Sequence, residues 1–127
     1  MLRTQTVEKG TLALIKKLMA DDKFNDFNLV GGTALALKIG HRMSIDIDLF
    51  SNESFNAPEI ANHLVTVYKV EELRTLPNGV FCFIDNIKVD LISHQFPLVG
   101  RIELNENIRM VSLADIGAMP YIIMVPG

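Results

Sequence analysis

Apolar and polar positions follow two periods along this chain, and the switches between them mark out its elements. From Val7 to Met19 the apolar residues Val7, Leu12, Leu14, Ile15, Leu18 and Met19 flank Lys16 and Lys17. That spacing predicts an amphipathic helix, weakened at Gly10. Asp21, Asp22 and the polar residues to Asp26 read as a loop, and Phe27 to Val30 as a short apolar strand entering Gly31-Gly32. Thr33 to Ile39 predicts a helix that is apolar nearly all round, hence buried, with Gly40 as its C-cap. After His41 and Arg42 the period becomes two: Ser44 to Phe50 reads as a strand in which Ile45, Ile47 and Leu49 alternate with Asp46 and Asp48.

Asn56 and Pro58 signal a helix start, and the helix runs to about Val67. Tyr68 to Leu76 has an ambiguous pattern that a strand would fit. Pro77-Asn78-Gly79 is a turn, followed by strands Val80 to Ile84 and Ile87 to Ser93 joined at Asp85-Asn86. In the latter strand Ile87, Val89 and Leu91 face one side, Lys88 and Asp90 the other. His94 to Gly100 is a loop. Arg101 to Leu104 and Ile108 to Val111 are short extended pieces around Asn105-Glu106-Asn107. Ser112 caps a helix, Leu113 to Met119, that Pro120 stops or kinks.

The chemistry lies where these patterns intersect. Asp46 and Asp48 emerge from one strand face and repel each other, so folding alone gives little reason to place them together. A hard divalent ion such as Mg²⁺ removes that repulsion. Asp90 adds a third carboxylate from a second strand. Gly31-Gly32 at a strand-to-helix turn offers bare N–H groups and a helix N-terminus, which suits phosphate. A phosphate cradle followed by metal-binding carboxylates points to phosphoryl or nucleotidyl transfer. His41, His63 and His94 share no metal-type spacing and read as surface or packing residues.

Composition narrows the class. The 127 residues predict one domain, residues 1–127. About half are apolar, yet no apolar run reaches the roughly 18 residues of a membrane helix, and no secretory signal opens the chain. The lone Cys82 cannot form an internal disulfide, so a cytoplasmic setting and an inert, buried thiol are expected. A net charge of −3 lacks the basic footprint of a long nucleic-acid groove. A local cluster at Lys38, His41 and Arg42 still leaves room for a structured RNA acceptor.

Leu29 to Ser51, with its GGTALAL, HRxS and DIDLF pieces, resembles the first motif of the AbiEii-type nucleotidyltransferases, in the wider DNA polymerase β-like superfamily. Lys88-Val89-Asp90 is similar to that family's second carboxylate motif, and Val111 to Met119 to its next helix. The family includes toxins of abortive-infection and toxin–antitoxin systems. The resemblance implies an α+β fold, a mixed β-sheet with helices packed against it. It implies two Mg²⁺ ions on Asp46 and Asp48, with Asp90 completing the catalytic ion's shell and helping to deprotonate the attacking hydroxyl. Gly31, Gly32 and Thr33 would hold a nucleoside triphosphate, with Arg42 and Lys88 as phosphate contacts. The acceptor would be RNA (tRNA among the candidates) or a protein hydroxyl, and an antitoxin a further partner.

Past the position of Met119 the family's helix continues through a lysine into further helices. Here Pro120 and a short apolar tail stand instead, so the resemblance implies a fold lacking its C-terminal helical part. The sheet face left uncovered predicts a homodimer or higher oligomer. The alternative readings are a catalytically inactive remnant and an oligomeric binding module on the same fold.

Overall fold

The computed structural model describes residues 9–30, 46–93, 102–105 and 107–110. Helix α1, Lys9–Ala20, buries Leu14, Ile15, Leu18 and Met19 of the stripe that its spacing predicts, with Thr11 beside them. The loop expected after it contains a single 3₁₀ turn, Asp22–Phe24, capped by Asp21, whose Oδ1 accepts from the Lys23 N–H at 3.0 Å. Asp21 Oδ2 also accepts from the Tyr68 hydroxyl at 2.8 Å and lies 2.7 Å from His63 Nε2. Burial works to raise this carboxyl, but the bonds from His63, Lys23 and Tyr68 prevail and hold it below its ordinary value. His63, edge-on to Phe24, is thus a packing residue. His41 and His94 lie outside the described residues.

Helix α2, Ala57–Val67, begins where Asn56 and Pro58 place it, with Asn56 Oδ1 accepting from the Glu59 N–H at 2.9 Å. The strands are β1 (Asn28–Val30), β2 (Ile47–Ser51), β3 (Val70–Leu76), β4 (Gly79–Ile84), β5 (Ile87–Ser93), β6 (Glu103–Asn105) and β7 (Ile108–Met110). They form one sheet in the order β3-β4-β5-β2-β1-β7-β6. Pairing is parallel between β2 and β5 and between β1 and β7, and antiparallel elsewhere. The sheet is therefore mixed, as expected of the α+β class. Leu29, Ile47, Leu49, Val80, Cys82, Ile84, Val89 and Leu91 form its core with the buried stripes of α1 and α2.

One element departs from the sequence reading, and two that it outlined become definite. The strand expected from Ser44 begins at Ile47, so Asp46 stands one position before it while Asp48 lies within it. The ambiguous stretch after Tyr68 is a seven-residue edge strand, β3. The two extended pieces near Asn107 pair as a hairpin, and Asn107 takes a positive φ of 67° in its turn. The helices expected at Thr33–Ile39 and Leu113–Met119, and everything after Pro120, lie outside the described residues. No described helix is long and apolar enough to cross a membrane.

Candidate active site

Paired residues on neighbouring strands share a face. The parallel ladder between β2 and β5 sets Asp48 beside Asp90. The β4–β5 hairpin continues that row with Phe81 beside Asp90 and sets Phe83 beside Lys88. On β3, Arg74 faces Phe81 and Glu71 faces Phe83. The sheet surface opposite the core thus carries a row Arg74–Phe81–Asp90–Asp48, with Lys88 and Asp46 each two residues before a carboxylate of the row.

Asp90 is the most deeply set of these groups, its side chain 1% exposed. Lys88 Nζ donates to its Oδ2 at 2.7 Å. Among the described residues its Oδ1, though buried, has no hydrogen-bond partner. Burial pushes the Asp90 carboxyl above its ordinary value, against the hydrogen bond and charge of Lys88; Asp46 raises it further and Arg74 opposes. Asp48 is pushed up to about 7, first by burial and then by the charges of Asp90 and Asp46, with Lys88 working the other way. Asp46, Asp48, Asp90, Lys88 and Arg74 therefore feel one another's charges.

Arg74 was not legible in the sequence. The ladder slips between Glu71 and Arg74, where Glu72 has a φ of 53°. This bulge inserts one residue into β3. Without it Leu73 would stand opposite Phe81. With it Leu73 packs on the core, and the Arg74 guanidinium lies 5.7 Å from the Phe81 ring centre. Arg74, Phe81, Phe83, Lys88 and Asp90 line a cleft of about 350 Å³. The only sign in the sequence is the broken alternation of VEELRTL.

The structure thus brings Asp46, Asp48, Asp90 and Lys88 to one face, while Gly31, Gly32, Thr33 and Arg42 lie outside the described residues. Cys82 is buried and its thiol is pushed up to about 12, by burial and then by the Asp90 charge, so it is inert at neutral pH. Among the described residues, no three His, Cys, Asp or Glu side chains are drawn close enough to hold a metal ion as they stand. The donor set still suits a hard divalent cation: carboxylates from two paired strands, one of them buried with a bare oxygen.

The mixed sheet with its packed helices is the fold of solved nucleotidyltransferase-like proteins. TM1012 of Thermotoga maritima, a candidate nucleotidyltransferase, is similar over 88% of this chain and 84% of its own, with 19% identity and a TM-score of 0.61. JHP933 of Helicobacter pylori matches with 16% identity and a TM-score of 0.53 over 87% of this chain and 55% of its own. A tRNA-processing enzyme matches over 69% of this chain and 24% of its own, with 17% identity and a TM-score of 0.51. Residues 13–118 match the family described as nucleotidyl transferase AbiEii toxin, type IV toxin–antitoxin system, and the chain belongs to that family. An uncharacterised protein of Aquifex aeolicus (strain VF5), aq_aa25, is 28% identical over 111 residues, which cover 86% of this chain and 54% of that protein. The chain thus spans about half the length of that relative.

Proposed function

We propose that this protein transfers a nucleoside monophosphate from a nucleoside triphosphate to an acceptor hydroxyl, with divalent metal held by Asp46, Asp48 and Asp90. The observation that carries the reading is the in-register pair Asp48 and Asp90, the second buried with a bare Oδ1. Membership of the AbiEii family supports it and makes an antitoxin an expected partner.

Bound Mg²⁺ would neutralise the carboxylates and stabilise the attacking and leaving oxygens, the chemistry divalent ions supply to phosphoryl transfer. The acceptor oxygen bonds to the α-phosphorus as the bridging bond to the β-phosphate breaks. Pyrophosphate carries away the electron pair, and Asp90 takes the hydroxyl proton. Gly31, Gly32 and Thr33 would hold the triphosphate, with Arg42 and Lys88 as contacts for its charge. Arg74 lies over the Phe81 ring, in the same row as Asp90, and would meet the acceptor. RNA is the acceptor we favour, since a guanidinium over an aromatic floor receives a nucleotide readily; a protein hydroxyl is the alternative.

Calorimetric titration with Mg²⁺ and each triphosphate tests binding, and labelled triphosphate with total RNA tests transfer. Asp46→Ala, Asp48→Ala and Asp90→Ala should each cut transfer by at least 10²-fold, by the weight such charge-stabilising groups carry. No triphosphate binding would favour an inactive remnant or a binding module instead.

A further inference from the structure

The partner that Asp90 already has bears directly on how metal enters the site. Lys88 and Asp90 are two apart on β5 and share a face, and Nζ reaches Oδ2 at 2.7 Å. The lysine side chain is 23% exposed and the aspartate side chain 1%, so the ammonium approaches from the wetter side and caps the carboxylate. A divalent ion would be held by Asp48 and Asp90, which stand in register on paired strands. Lys88 engages Oδ2 alone and leaves Oδ1 bare, so a divalent ion arriving at Oδ1 would share one buried carboxylate with an ammonium, and their like charges oppose each other.

We propose that Lys88 is a built-in competitor for the metal, holding Asp90 until a divalent ion displaces it and then turning its ammonium onto the triphosphate. This rests on the metal-dependent reading above. Lys88 is then a positioning residue: it keeps a buried negative charge compensated in the metal-free protein, and it couples metal entry to substrate contact. A lysine suits the part because its flexible stem lets the ammonium move several ångströms while its root stays fixed on the strand.

The test uses Mn²⁺ as the probe, with binding followed by electron paramagnetic resonance at pH 8 on the full chain. Lys88→Met, which keeps the stem and removes the charge, should bind Mn²⁺ at least fivefold more tightly than the wild type, and Lys88→Arg should stay near the wild type. The metal-free melting temperature of Lys88→Met should fall, and its rise on adding Mn²⁺ should exceed the wild type's. Equal or weaker binding by Lys88→Met overturns the competition and leaves the metal reading intact. A wild type that binds no Mn²⁺ overturns both. Should Lys88→Met fail to fold, ¹⁵N-lysine NMR of the wild type decides: Mg²⁺ should shift the Lys88 ammonium signal and speed its proton exchange, and an unmoved signal overturns the proposal.

Discussion

At the scale of single residues, Asp48 records how much the fold works against its own carboxylates. Its pKa is pushed up to about 7, chiefly by burial and then by Asp90. In the unfolded chain the same group loses its proton near 3.9. Between those values the folded state holds more protons, so stability falls as pH rises from about 4 to about 7 and levels off above. Metal-free protein should therefore melt at a lower temperature at pH 8 than at pH 5. Asp48→Asn should flatten that slope and stabilise the metal-free protein at pH 8 by on the order of 1–3 kcal/mol, a value discounted for partial exposure. Thermal melts of both proteins in chelator at the two pH values check this, and identical slopes would count against it. A protein that gains stability by losing a carboxylate keeps that carboxylate for another purpose. This argument was open to the sequence, because alternating Asp and Ile already placed Asp46 and Asp48 on one face. Their depth was not, since it depends on which strand lies alongside.

Among the elements, the β4–β5 hairpin sets the register on which the site depends. Asp85 and Asn86 have φ of 53° and 65°, both positive, the form of two-residue turn whose twist matches its strands. Asn86→Ala should cost about 1–2 kcal/mol, the left-handed penalty for a residue with a Cβ, and Asn86→Gly should cost little or stabilise. Urea unfolding of the two variants tests the ranking, and equal midpoints would refute it. This hairpin was fully legible, for its turn residues sit between two alternating runs. The β3 bulge was not. A bulge appears in sequence only as one misplaced residue, and Leu73 on the core with Arg74 on the opposite face reads like noise until Phe81 is seen opposite. The missing Arg74 is the consequence. Strand order was hidden for a related reason: β2 and β5 lie far apart in the chain, and their parallel pairing follows from the packing of all the layers together.

For the molecule as a whole, one side chain ties the far part of the sheet to the rest. β7 meets the sheet through β1, and Arg109 on β7 reaches across to three carbonyls of the N-terminal segment. Its Nε donates to Phe27 O at 3.1 Å, Nη1 to Met19 O at 3.3 Å and Nη2 to Phe24 O at 2.8 Å. These acceptors belong to the end of α1, the 3₁₀ turn and the approach to β1, none of them adjacent in the fold by chain connection to β7. Carbonyls at a helix end need donors, and a guanidinium supplies several in fixed directions. Burial lowers the Arg109 pKa from its ordinary value, yet the group stays charged at neutral pH, and hydrogen bonds to a charged donor are worth more than neutral ones. Arg109→Met keeps the stem and removes every donor. It should destabilise by about 2–4 kcal/mol, since three hydrogen bonds from a charged donor are lost and water replaces them only in part. Arg109→Lys should recover only part, because a single ammonium cannot meet three carbonyls set around a planar fork. Because Asp48 and Asp90 sit on β2 and β5, across β1 from this clamp, Arg109→Met should lower the melting temperature with Mn²⁺ affinity within twofold of the wild type. An affinity lost together with the melting temperature would mean that the carboxylate face and the N-terminal segment form one cooperative unit, and that the site's geometry is set from the far side of the sheet.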